Sequence, residues 1–278
     1  MKLHLTLFLS ITLSTVSLFP KVIIWDIGGV LLDTSSFAMG KSIGFSHFLK
    51  YLVFDWKSPN IKPLVFDVLD MMECPEVPHG VYAYTADGIA LPAIMCHWQA
   101  GTISGQQIIK NSYNHIAELA NLGYFVSIRE QELVQKTIEK MFDPQSLASC
   151  TFAIPAGINL LADCAREVTN HGIPKNKLIA LSNWDEDSFL LVRERYPEVF
   201  NNFDLISVSG KTGLLKPRTA SFKSLIKKCT LIPQDCLVID DQKRNLDVAE
   251  KLGFETFLVD GTNFSALRKR LIQCGALS

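Results

Sequence analysis

The sequence predicts an α/β protein built on a doubly wound parallel sheet, and three observations carry that expectation. Short runs rich in β-branched and aromatic residues, such as residues 22–25, are apolar throughout, as strands buried on both faces are. From residue 154 to residue 274 such runs alternate with amphipathic helical patterns, the spacing of right-handed crossovers. Several runs end in an acid or a hydroxyl, at the end of an open parallel sheet where ligands bind.

The first element is residues 21–33, KVIIWDIGGVLLD, in which Val22, Ile23, Ile24 and Trp25 lead through Asp26 to Gly28 and Gly29. Burying an ionised carboxylate costs several kcal/mol unless a cation or a hydrogen-bond cage compensates it, so a buried strand ending in Asp suggests a site. Taken alone, Asp26 also suits a cap of the following turn.

Residues 35–151 are the least readable. Residues 45–54 are apolar with His47 and Lys50 interspersed. A helix is predicted over 104–120 with Ser104 as N-cap, resuming after a break at Gly123 over 128–142. Pro59, Pro63, Pro75, Pro78 and Pro92 make residues 58–92 loop-rich.

From Ile154 the alternation becomes regular. A helix over 155–170 carries Leu160, Leu161, Cys164 and Val168 on its apolar side and stops near Gly172. Strand 178–181 ends in Ser182 and Asn183, and helix 185–196 begins with Asp185 and Asp187 as cap and first-turn acids. Strand 203–207, the loop GKTGLLKP with Lys216 before Pro217, and helix 219–229 follow. Strand 237–239 ends in the pair Asp240 and Asp241, and helix 245–252 is expected to take Asn245 as its N-cap. Strand 254–259 and helix 263–274 close the chain.

Composition bounds the function classes. At 278 residues, 48% hydrophobic and 20% charged, the chain supports one sizeable core plus an appended module. A net charge of −1 provides no electrostatic footprint for nucleic acid. Seven cysteines without a C-x-x-C pair or histidines at metal spacing argue against zinc, and their odd number argues against a complete disulfide framework. Cys236, inside a predicted strand, is expected to pack as a small hydrophobe.

Residues 1–19 form a candidate signal peptide: Lys2 precedes an apolar run, and small residues lie near its end. The run is short for a stable membrane span. It has no A-x-A site, and its alternation of Leu with Thr and Ser also suits an edge strand. Export is the favoured expectation and a cytoplasmic protein with an N-terminal extension is the alternative; cleavage after Ser17 leaves the Asp26 strand intact.

Strand-Asp26, strand-Ser182, loop-Lys216 and strand-Asp240-Asp241, in that order, resemble the motif set of the haloacid dehalogenase-like (HAD) hydrolase superfamily. The resemblance covers residues 21–35 and roughly 152–261. Residues 97–109, HWQAGTISGQQII, are similar to the helix start of helical caps in its α-subgroup.

The resemblance implies a Rossmann-like core of residues 20–34 and 152–278, with a mainly helical C1-type cap of residues 35–151 inserted over the site. It implies Asp26 as the nucleophile, Ser182 and Asn183 as phosphoryl-binding groups, and Lys216 as the fixed cation. A Mg²⁺ ion would be held by Asp26, the Gly28 carbonyl, Asp240 and Asp241, and the substrate would be a small phosphate monoester. Each residue also has an ordinary role open to it: Ser182 as a strand end, Lys216 as a solvated loop lysine, Asp240-Asp241 as a turn.

One departure matters. Family phosphatases carry an acid/base Asp two residues after the nucleophile, and here that position is Gly28. Asp33 or His97 is a possible substitute. Two alternatives therefore accompany the phosphatase expectation: a 2-haloacid dehalogenase-type hydrolase needing no metal, and a catalytically impaired HAD-fold binding module.

Overall fold

A computed structural model describes residues 21–44, 61–85 and 87–278. The N-terminal apolar stretch and the pattern over 45–54 lie outside the described residues.

The central strand is β1, Lys21–Trp25, whose Ile23, Ile24 and Trp25 are fully buried. It pairs in parallel with β4, Asn176–Ser182, on one side and with β6, Cys236–Asp240, on the other. Outside these lie β5, Leu205–Val208, and β7, Glu255–Leu258, both parallel, giving the order β5-β4-β1-β6-β7. The alternation of side chains divides the core between the faces. Ile23, Trp25, Ala180 and Ile239 pack on one, and Ile24, Ile179, Leu181 and Val238 on the other. Each such Ile, Leu or Val side chain stabilises the fold by roughly 1.5–3 kcal/mol.

The chain runs outward from β1 through β4 to β5, then returns to β1's other side for β6. The strand order reverses there, opening a crevice beyond the carboxyl ends of β1, β4 and β6.

Between β1 and β4 the chain makes a helical layer. Its way out, β2 (Leu32–Thr34), pairs antiparallel with its way back, β3 (Thr151–Ala153), so exit and return form a two-stranded stem. The layer contains α1 (Ser36–Ile43), α2 (Lys62–Asp70), α3 (Ala93–Gln99), α4 (Gly105–Asn121), α5 (Ile128–Phe142) and α6 (Pro144–Cys150). A hydrophobic cluster of their own, including Val68, Ile94, Ile108, Leu133 and Ile138, holds them together. Ser104 caps α4 through a capping box with Gln107, as its sequence predicts.

Some expectations change. The proline-rich stretch includes α2 as well as loops, because Pro63 falls in the first turn, where no amide donor is needed, and Val65, Val68 and Leu69 provide a buried face. Helix α7, Pro155–Arg166, ends there instead of at Asn170, leaving Val168 half exposed, since the chain turns at Val168 to bridge Pro174. Helix α8, Glu186–Arg195, is capped by Asp185 as expected. After the short α9 (Pro197–Phe200) and α10 (Ser209–Thr212), α11 spans Thr219–Cys229. Helix α12, Lys243–Lys251, starts earlier than expected, and α13 spans Phe264–Gln273. All seven cysteines are free, and Cys236 is fully buried, its thiol pushed up to about 12 by burial. Among the described residues no helix is long and apolar enough to cross a membrane.

Candidate active site

Three strand ends and one loop meet in the crevice. Asp26 follows β1 directly, and its amide donates to the Ile239 carbonyl at 2.8 Å, keeping it level with Asp240 at the end of β6. Asp241 is the next residue. One carboxylate oxygen from each of Asp26, Asp240 and Asp241 lies within 4.8 Å of the others. The Lys216 ammonium is 2.8 Å from Asp26 Oδ2 and 2.7 Å from Asp240 Oδ2, with Lys216 and Asp240 almost wholly buried.

Every group here is held by a specific contact. Asp26 Oδ1 accepts from the Ile27 amide at 2.7 Å, while Asp240 Oδ1 accepts from the Gln242 amide and the Asn245 side-chain amide, both at 2.8 Å. The Asn183 side chain clamps the lysine loop: its Nδ2 donates to the Lys216 carbonyl and its Oδ1 accepts from the Lys216 amide, both at 2.8 Å. Gly29 is at φ +67°, and a Cβ there would meet Asp241 Oδ2 at 2.3 Å. A glycine is therefore required for the loop to turn and for the carboxylate to close on it.

The electrostatics follow from burial. Burial alone disfavours the Lys216 ammonium, but the Asp240 and Asp26 carboxylates more than offset it and hold its pKa above the ordinary lysine value. Burial raises Asp240, opposed by Lys216 and assisted by Asp26. Burial and then the charges of Asp26 and Asp240 raise Asp241. When all three carboxylates are ionised, as cation binding requires, they leave two negative charges in excess over the one ammonium. An all-oxygen set of that charge suits a hard divalent cation such as Mg²⁺.

Beside this cluster a cleft of about 230 Å³ opens between the sheet and the helical layer, reaching Gly28, Asp33, Trp98, Asn183 and Trp184. Asp26, two residues before Gly28, is 7% exposed. The layer is docked closely here: the Ser209 hydroxyl donates to the Gln99 carbonyl at 2.6 Å, and a Cβ on Gly101 would strike the Gly210 carbonyl.

The residues expected from the sequence converge: Asp26, Lys216, Asp240 and Asp241 by direct distance, and Asn183 through Lys216. Ser182 ends β4 two residues beyond Ala180, the register partner of Trp25, and is 3% exposed. Its hydroxyl has no hydrogen-bond partner among the described residues. Gly28 lines the cleft, with nothing within 4 Å of where a Cβ would stand.

Two expectations need correcting. Asn245 is not an N-cap; it is the third residue of α12 and reaches back to Asp240, while Gln242 holds the cap position. His97 cannot stand in for the missing acid. It is buried, its Nε2 faces the Pro75 and Glu76 carbonyls, and its Nδ1 pairs with the Thr102 hydroxyl at 2.7 Å. Asp33 is exposed and lines the same cleft as Gly28.

This sheet order with an inserted helical layer is the HAD-like superfamily fold, and the chain adopts it. No family model and no curated protein matches the sequence. Solved structures do match. A HAD family enzyme from Bacteroides thetaiotaomicron is 18% identical with a TM-score of 0.55, covering 90% of this chain and 98% of its own. The wild-type form of that enzyme in complex with magnesium and inorganic phosphate has a TM-score of 0.54 at 18% identity, covering 87% and 96%. A predicted HAD-like family hydrolase from Porphyromonas gingivalis has a TM-score of 0.51 at 19% identity, covering 92% and 98%.

Proposed function

We propose that the protein is a Mg²⁺-dependent hydrolase of phosphate monoesters that works through an aspartyl-phosphate on Asp26. The observation that carries this reading is the buried ion cluster, in which three carboxylates with two charges in excess stand beside one fixed ammonium at the carboxyl end of a parallel sheet.

Asp26, Asp240, Asp241 and the Gly28 carbonyl would hold the ion. When bound, Mg²⁺ supplies charge neutralisation that lets a phosphate dianion approach a carboxylate. Asp26 then attacks phosphorus, an O–P bond forms, and the bond to the leaving alkoxide breaks. Lys216 stabilises the charge on the transferring group, and the Ser182 hydroxyl is available to donate to one of its oxygens. Asn183 holds the Lys216 backbone and lines the cleft. Asp33 serves as the group that protonates the leaving oxygen and takes a proton from the water that hydrolyses the acyl phosphate, regenerating the Asp26 carboxylate.

On this reading residues 20–34 and 152–278 are the core and residues 35–151 the cap that excludes water from it. Export, supported by the apolar N-terminal stretch, is part of the proposal, and fractionation of a tagged full chain tests it. A metal-free dehalogenase is disfavoured because the negative charge left in excess over Lys216 would repel a carboxylate substrate.

The test is phosphate release from a panel of phosphate esters with Mg²⁺ and with chelator, on wild type beside Asp26→Asn. Turnover that needs Mg²⁺ and Asp26 supports the assignment. Dehalogenation that survives chelation, or no turnover of any ester, overturns it.

A further inference from the structure

Inside the helical layer lies a second cavity, of about 520 Å³, walled by Met39, Val65, Phe66, Leu91, Met95 and Met141. It adjoins the catalytic cleft: Thr34, Trp98 and Leu147 line both. Three of its polar side chains already have partners. The Thr137 hydroxyl donates to the Leu133 carbonyl at 2.7 Å, the Thr85 hydroxyl bonds within its own turn to Ile89, and Lys62 pairs with Asp87. The Thr34 and Ser36 hydroxyls have no hydrogen-bond partner among the described residues, so a ligand here finds a mainly apolar lining with two free hydroxyls, and three methionines can adjust their shape to it. Trp98, held edge-on to Phe142 with ring centroids 4.9 Å apart, forms a fixed wall where the two spaces join.

We infer that this cavity receives the apolar body of the substrate, so that the enzyme acts on phosphate monoesters of medium-chain alkyl or similar hydrophobic alcohols. The inference rests on the phosphatase reading above. The alcohol portion of a phosphate seated at Asp26 would reach the cavity through the cleft, past Trp98 and Leu147. The wall shared with the cleft, and not exposure of an apolar face, is what selects this occupant.

The experiment measures kcat/KM for n-alkyl phosphates from ethyl to octyl with Mg²⁺ on the full chain. At about 0.8 kcal/mol per buried methylene, each added carbon raises kcat/KM about fourfold until the cavity is full. Gly40 and Met141 line the cavity but not the cleft. Gly40→Phe and Met141→Trp, made separately so that one misfolded variant does not remove the test, flatten the chain-length dependence. Both leave ethyl phosphate turnover within about threefold of wild type. In parallel, binding of 1-octanol alone, followed by intrinsic fluorescence, is weakened by both substitutions.

No turnover of any ester together with octanol binding that the substitutions weaken defeats the phosphatase reading and keeps the cavity as an apolar site. A flat profile from ethyl to octyl in an active enzyme overturns the inference, as does octanol binding that neither substitution changes. A flat profile with a dimer that Gly40→Phe dissociates assigns the cavity to a second copy and also overturns it.

Discussion

Replacing Lys216 by Met removes the one ammonium between two buried carboxylates while nearly preserving side-chain volume. The lysine is 2% exposed and within 2.8 Å of both partners, so Asp26 and Asp240 would be left facing each other without a cation. Removing one member of a buried ion group costs about 3–5 kcal/mol, because the remaining charge is uncompensated. For a chain of this size, at roughly 2–3 °C per kcal/mol, the melting temperature falls by roughly 6–15 °C in chelator. The same change takes the site's excess from two negative charges to three, so Mg²⁺ binds the variant more tightly. A tenfold gain in affinity returns about 1.4 kcal/mol at saturating ion. Thermal unfolding of wild type and Lys216→Met, with EDTA and with Mg²⁺, therefore gives a large deficit without the ion and a smaller one with it, while turnover is lost in both. A variant as stable as wild type in EDTA, with an unchanged response to Mg²⁺, would refute the reasoning.

Three further outcomes follow from the geometry. Asp33→Asn lowers kcat about 10²-fold or more and removes one limb of its pH profile, since Asp33 is an exposed carboxylate lining the cleft with Gly28, whereas Asp185, which also lines it, is buried as a helix cap; an unchanged profile rules Asp33 out. Gly29→Ala costs about 1–2 kcal/mol for the left-handed backbone and displaces Asp241, so calorimetry shows weakened Mg²⁺ binding with far-ultraviolet circular dichroism intact. Glu167 accepts from Lys175 Nζ at 2.8 Å and from the Ser278 amide and hydroxyl, which hold its carboxyl down to about 2. A pKa lowered on folding contributes stability that is present above the unfolded value near 4.3 and is lost as pH falls from about 4 to 2. Glu167→Gln therefore lowers stability at neutral pH and flattens the loss over that acid range, as urea midpoints at successive pH values would read.

The core was legible in the sequence because its strands are short, uninterrupted apolar runs that end in chemistry-bearing residues. Residues 21–25, 176–182 and 236–240 all fall where those runs predict, and α5 and α11 have the predicted ends. The helical layer was less legible. Its short helices α1, α3 and α6 are fixed by tertiary packing and not by a long amphipathic repeat, and α2 lies among prolines that usually signal loops. In the site, the acids and the lysine could be named, but the groups that hold them could not. Asn245 reads as a cap because Asn is common there, and only coordinates reveal that its amide turns back to Asp240. The engagement of Asn183 with the Lys216 backbone spans 33 residues and leaves no local pattern.

The central claim is that Asp26 becomes phosphorylated in a site completed by Asp240, Asp241 and Lys216. Acid quenching of the enzyme during turnover of a phosphate ester with Mg²⁺, followed by mass spectrometry of the peptide containing residue 26, tests it most directly. The account predicts one added phosphoryl group on Asp26, absent with chelator and absent in Asp26→Asn. Phosphate release at an undiminished rate by Asp26→Asn would contradict it.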